Sequence, residues 1–248
     1  MLDLLGTAAG LVRAKLREPM RMTEKAKSRG VVYVAWGKAH VDVARRSAAS
    51  VKKHNPDLPC AIWCAADDDT TGFDQRFIIP DGMKRPKTSV LHESPFEETL
   101  FLDNDTIVRA DVMSLFDLLQ SFDVCGAHVM LWHRPRHLKV WRKELPETFP
   151  EINTGVLLYR KNAKTDAFFK SWGAAFEAAG FRVDQVTFRE LLWDADLRFY
   201  VLPPQFNKRI FEASELIYSD QPKPRILHLP ILRPQKNAFK RWFSNLIR

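Results

Sequence analysis

The 248-residue chain has no uninterrupted apolar run of about 18 residues, the length a membrane-spanning helix requires. No transmembrane segment is expected. The opening stretch MLDLLGTAAGLV is apolar but carries Asp3 where a secretory signal needs basic residues, which argues against one. Cysteine is scarce too. Cys60, Cys64 and Cys125 are the only three, with no Cys-x-x-Cys or Cys/His zinc spacing, so they are expected as buried thiols in a reducing compartment. A nucleotidyltransferase would need a glycine-rich phosphate loop after the first strand. Only Gly37 stands there.

The body of the chain also has little net charge. Residues 1–29 carry seven Lys/Arg and three Asp/Glu, and residues 233–248 carry five Lys/Arg and no acid. The total of +8 therefore leaves −1 for residues 30–232. No nucleic-acid-binding motif accompanies the basic tails, so a nucleic-acid partner is not expected. Both tails read as amphipathic helices. In the second, Phe239, Trp242, Phe243, Leu246 and Ile247 recur at spacings of three and four between Lys240, Arg241 and Arg248. Such a helix suits an anionic membrane surface, and equally a dock on the body. A cytoplasmic protein, peripheral on the inner face of the membrane, fits the first case.

An apolar content of 46% and a charged content of 27% are those of a soluble globular domain. Val31–Trp36 reads as a buried strand, His40–His54 as a helix and Cys60–Ala65 as a second strand. Phe77–Ile79 and Leu100–Leu102 follow as strands. Asp111 is expected to cap a helix carrying Val112, Leu115 and Phe116. Val124–Val129 and Gly155–Tyr159 are expected strands, Ala163–Ala179 and Asp184–Trp193 helices. Phe199–Leu202 and Arg225–Leu229 are late strands, and Met130–Glu147 has no period and reads as a surface excursion. Strand–helix alternation predicts one α/β domain, residues 30–232, with a mainly parallel sheet.

The segment TLFLDNDTIVR stands out. The apolar run Leu100–Leu102 stops at Asp103-Asn104-Asp105 and resumes at Thr106. Aspartates two apart occur three times, but Asp67/Asp69 reads as a polar turn and Asp194/Asp196 as a helix end. Only Asp103/Asp105 follows a run apolar enough for a central strand. Two carboxylates at the carboxyl edge of an α/β sheet suit magnesium or manganese that retains open positions for phosphates. The same residues are also compatible with a turn and a cap.

Five elements in order resemble the nucleotide-sugar glycosyltransferases of the GT-A fold, most closely the retaining family 8 enzymes and related bacterial proteins. They are VVYVAWGKAH, KRPKTSVLHESPFEETLFLDNDTIV, FPEINTGVLLYRKN, DQVTFRELLW and ILHLPILRPQK, together spanning roughly Val31 to Lys236. The resemblance implies a single GT-A (Rossmann-like) domain with a UDP-sugar donor and a glycan or lipid-linked acceptor. Ala35 and Trp36 would lie at the uracil, and Asn104 within the Asp-x-Asp turn would belong to the donor site. Asp103, Asp105 and His228 would hold Mn2+ or Mg2+. Arg85 or Lys87, and Arg233 or Lys236, would bind the diphosphate. Asn153, Asp184 and Gln185 would orient the donor sugar, although by themselves they also read as a turn (Asn153) and a helix cap (Asp184).

The chain departs from the family pattern in one place. The spacing from His228 to Arg233 is one residue short of the family's His-to-Lys spacing, and the intervening glycine is missing. The resemblance further implies retention at the anomeric carbon; an inverting enzyme would need a carboxylate base, for which Glu151 or Asp184 would serve. Trp132–Trp141 is a candidate acceptor wall or an inconsequential loop. Two rivals stand beside this reading: a non-catalytic GT-A-like binding module, and a phosphatase of the haloacid-dehalogenase type.

Overall fold

The computed structural model describes residues 27–130, 137, 139–210 and 223–234. The expected tail helices lie outside these residues. In chain order the elements are β1 (Arg29–Val34), α1 (Lys38–His54), β2 (Cys60–Cys64), β3 (Gln75–Ile78), α2 (Pro86–Val90), β4 (Glu98–Leu102) and β5 (Thr106–Val108). Then come β6 (Val124–His128), β7 (Ile152–Arg160), α3 (Ala163–Ala179), α4 (Gln185–Asp194), β8 (Phe199–Val201), β9 (Lys208–Arg209) and β10 (Ile226–His228).

A seven-stranded sheet runs in the order β3-β2-β1-β4-β7-β6-β8. It is mainly parallel, as expected, with β7 alone antiparallel to both its neighbours. Both faces are covered, and successive side chains of a strand point to opposite layers. Val31, Tyr33 and Ala35 accordingly pack in the cluster with Val41, Ala44, Ala48 and Val51 of α1. Val32 and Val34 pack on the other face with Phe168, Phe169 and Trp172 of α3 and Phe188 of α4. The three cysteines are free and buried.

Most boundaries fall within one or two residues of the sequence reading, and the exceptions have physical causes. α1 begins at Lys38 because Gly37, at φ 79°, turns the chain out of β1 and offers its carbonyl to the amides of His40 and Val41. After Asp111 the chain forms a 3-10 helix, Met113–Gln120, with Asp111 Oδ1 accepting from the Met113 amide at 2.7 Å. β7 starts three residues early, at Ile152, so Asn153 sits inside a strand and the turn reading of it is corrected.

Within the expected surface excursion, residues 139–147 are irregular but tied down. Glu190 of α4 accepts from the amides of Trp141, Arg142 (2.8 Å) and Lys143 (3.0 Å). Arg189 of the same helix donates to the carbonyls of Phe149 and Pro146. An irregular segment needs such partners for its backbone, and two charged residues inside a helix supply them.

A second, three-stranded sheet, β5-β10-β9, lies beside the first. The large sheet switches direction at β1, since β2 and β3 continue on one side and β4 on the other. Ligands of open α/β sheets bind outside the carboxyl ends of strands at such a point. Here those ends lead into Ala35-Trp36 and Asp103-Asn104-Asp105.

Candidate active site

The turn after β4 is held at several points. The Asp103 amide donates to the Gly155 carbonyl of β7 at 2.7 Å, and Thr106 donates to the Asp103 carbonyl through its amide (3.2 Å) and hydroxyl (2.9 Å). A buried relay of hydroxyls, Tyr33–Ser47–Thr106, anchors this turn to β1 and α1 at 2.9 and 2.8 Å.

β10 then brings the imidazole. His228 pairs with Thr106 across the antiparallel β5–β10 ladder, and the Leu229 amide donates to the Asp105 carbonyl at 2.7 Å. Asp103, Asp105 and His228 thereby offer three ligand atoms, all within 4.8 Å of one another. His228 Nε2 is 3.3 Å from Asp105 Oδ1 and 3.8 Å from Asp103 Oδ2. Two ligands at about 2.1 Å from one Mg2+ ion stand at most about 4.2 Å apart, so small adjustments would close the set on a cation.

Chemistry points the same way. Asn207 donates its amide N–H to the Asn153 carbonyl at 3.3 Å, which turns its Oδ1 toward His228 Nδ1 at 3.1 Å. That hydrogen bond makes Nδ1 a donor and turns Nε2 toward two carboxylates. Only a proton or a cation between them relieves that arrangement. Gly155 is required by the same crowding, since a methyl group there would overlap the His228 ring and stand 2.9 Å from Asp103 Oδ2.

Two basic side chains flank the cluster. Lys87 of α2 lies 3.1 Å from Asp103 Oδ1 and 3.1 Å from Asp184 Oδ2, and donates to Thr154 Oγ1 at 3.2 Å. Burial alone would lower its pKa, but Asp103 and Asp184 outweigh that and raise it. Arg233 Nε lies 2.6 Å from Asp105 Oδ2. Burial by itself would raise the Asp105 carboxyl; His228 and Arg233 reverse this and hold it well below the usual carboxylate range.

The cluster opens into a cleft of about 540 Å³, lined among others by Asp103, Asn153, Gln185, His228 and Arg233. No family model matches the chain, and no curated protein matches it. Solved structures do. The galactosyltransferase LgtC, crystallised with donor and acceptor sugar analogs, is 16% identical, with 88% of this chain and 93% of that chain aligned at a TM-score of 0.62. The glycosyltransferase GlyE of Streptococcus pneumoniae TIGR4 is 18% identical over 89% of this chain and 61% of its own, at 0.58. Mouse xyloside xylosyltransferase 1 is 12% identical over 84% of this chain and 99% of its own, at 0.51. The chain has the GT-A fold.

Within this GT-A domain the expected site residues divide. Asp103, Asp105, His228, Lys87, Asp184 and Arg233 come together around the cluster, with Asn153 and Gln185 on the same cleft. Asp184 is at the N-terminus of α4 but its side chain caps nothing; the cap reading is corrected. Its carboxylate is drawn away by Lys87 and by the Thr154 hydroxyl, which donates to it at 2.7 Å. Arg85 is directed elsewhere, donating to the Phe181 carbonyl at 3.1 Å and lying over the Phe176 ring. Trp36 is half exposed and stacks on His40, while Ala35 is buried and donates its amide to Trp63. The Asn104 side-chain oxygen is buried without a hydrogen-bond partner. Lys236, Trp132, His133, Arg134 and Arg136 lie outside the described residues, whereas His137 is buried with Nδ1 2.7 Å from Glu151.

Sequence reasoning missed the supporting residues. Thr154, Asn207 and Asp68, which accepts from the Gly37 and Ala65 amides at 3.0 Å, have no motif that announces them. His40 reads in the sequence only as a helix residue, yet burial and the charge of Arg233 lower its pKa, with Asp105 opposing.

Proposed function

We propose that the chain is a metal-dependent glycosyltransferase that moves a hexose from a UDP-sugar to a glycan or lipid-linked acceptor, with retention of configuration. The observation that carries this reading is the Asp103–Asp105–His228 cluster at the switch point of a GT-A sheet, flanked by Lys87 and Arg233. A divalent ion bound there supplies positive charge to a departing diphosphate. The imidazole favours manganese over magnesium.

The chain's own residues do the rest. Lys87 and Arg233 neutralise the diphosphate, with Lys236 and Arg85 as secondary candidates, Arg85 being occupied by Phe181. Ala35 and Trp36 receive the uracil. Asn104 Oδ1, buried and unpartnered, would accept from a ribose hydroxyl. Asn153, Asp184 and Gln185 orient the donor sugar. Retention is supported by the state of the two carboxylates an inverting reaction would use as base. Asp184 is engaged by Lys87 and Thr154, and Glu151 is buried against His137. The basic tails would rest on an anionic membrane surface from the cytoplasmic side, where a lipid-linked acceptor is presented. An imidazole facing the carboxylates and glycosyltransferases among the structural neighbours support this reading over the phosphatase.

Calorimetric titration of UDP with manganese, with EDTA, and on the Asp103→Ala/Asp105→Ala double variant tests the reading. Manganese-dependent binding, lost in the variant, is the expected result. Metal-independent binding, or none, would sink it. Tight UDP–manganese binding without UDP release from any UDP-hexose would select the binding-only module.

A further inference from the structure

We propose that Arg233 is an exchangeable cation built into the metal site, which must leave before a divalent ion can be held there. This rests on the reading of the cluster as a metal–diphosphate site.

One guanidinium reaches all three prospective ligands. Its Nε is 2.6 Å from Asp105 Oδ2, and one terminal nitrogen is 3.8 Å from Asp103 Oδ2 and 3.4 Å from His228 Nε2. A metal bound by those residues would lie among the same atoms, so the two cations exclude each other both in space and by charge. The position is set by the backbone. A 3-10 turn, Pro230–Leu232, follows β10, and the Arg233 amide donates to the Pro230 carbonyl at 3.2 Å, which returns the chain to the cluster.

Exposure separates this cation from its neighbour. The Asp105 side chain is 4% exposed and needs a counterion, whereas the Arg233 side chain is 51% exposed and free to swing out. Lys87 is 22% exposed and holds Asp103 from the side shared with Asp184 and Thr154. Among the described residues it makes no ion pair with Asp105. Lys87 is therefore a fixed charge, and Arg233 a mobile one.

A displaced guanidinium at the lip of the cleft needs an anion. The ligand chemistry that fits is the diphosphate of a nucleoside diphosphate, whose oxygens match the planar fork of donors. Metal binding alone breaks the Arg233–Asp105 pair without replacing it. Binding of metal and diphosphate together replaces it. The two ligands should accordingly bind with positive coupling, part of which resides in Arg233.

The test is Mn2+ titrated into the full chain by calorimetry and by electron paramagnetic resonance of free Mn2+, with and without saturating UDP. Wild type, Arg233→Gln and Lys87→Met are compared, with circular dichroism to verify folding. Expected is that Arg233→Gln binds Mn2+ alone about tenfold tighter than wild type and loses part of the gain from UDP, while Lys87→Met tightens Mn2+ less. Unchanged or weaker Mn2+ binding by Arg233→Gln would overturn the exchange. Equal tightening in both variants would also overturn it, leaving only general charge repulsion. If wild type binds no Mn2+ even with UDP, the metal–diphosphate reading itself falls, and the exchange with it.

Discussion

Leu100 and Leu102 of β4 are fully buried in the seven-stranded sheet, and His228 of β10 is 2% exposed in the three-stranded one. The surroundings of these equally buried residues differ. The leucines sit among Val31, Tyr33 and Val156 of neighbouring strands. His228 sits against Asp103, Asp105, Asn207 and Arg233. The large sheet is held by apolar burial on both faces, which is non-directional and tolerates small shifts. The small sheet, with strands of three, three and two residues, shares that core through Val108 and Ile226, but its cleft end, at His228, is fixed by directed contacts between charged and polar groups. Stability and site geometry are thus assigned to different parts of one domain, and each should be breakable with limited effect on the other.

Phe169→Ala should break the comparison hardest from the apolar side. The ring is fully buried and packs on Tyr159 and Trp172, so its loss should cost about 3–5 kcal/mol of stability in urea unfolding. Protein that remains folded should keep its manganese-dependent UDP affinity. Gly155→Ala acts on the other side. The added methyl group must displace His228 or Asp103, and a shift of about 1 Å should weaken Mn2+–UDP binding on the order of 100-fold. Its melting temperature should fall much less than that of Phe169→Ala.

Asn207→Ala should have a smaller effect, about 10-fold or somewhat more on Mn2+ affinity, because it removes the group that orients the imidazole without touching the metal ligands. Calorimetry with and without Asn207 measures it directly. The smallest effect concerns pH at the far edge of the large sheet. Burial would raise the Asp123 carboxyl, but the Arg198 amide and the Arg160 and Arg198 guanidiniums lower it overall. A depressed carboxylate contributes stability above its unfolded value, about 3.9, and loses it as pH falls through the folded value. Asp123→Asn should therefore lower stability at pH 7 and narrow the gap to wild type below about pH 4, as thermal melts across that range would show.

The elements of the large sheet were legible because their signals are local. Continuous β-branched and aromatic runs and an amphipathic helix after β1 all lie within short windows. The Asp-x-Asp turn was legible for the same reason, since the apolar run of β4 ends visibly at Asp103. The expected cap at Asp184 failed because a remote cation, Lys87, offers its carboxylate more than the local amides do. The described part of the excursion, residues 139–147, was legible only as irregular; its anchors, Arg189 and Glu190, look like ordinary helix charges.

By itself the sequence determined an α/β domain, the position of β4 and the two carboxylates at its end, because periodicity and burial act over neighbouring residues; GT-A type came from the resemblance of five motifs in order. Only the tertiary structure decided that His228 meets Asp105, that Asn207 orients its ring, that Gly155 leaves room for it and that Arg233 stands among the three ligands. Arg233 and Asp105 alone are 128 positions apart in the chain, and no local pattern encodes a distance set by how two sheets pack.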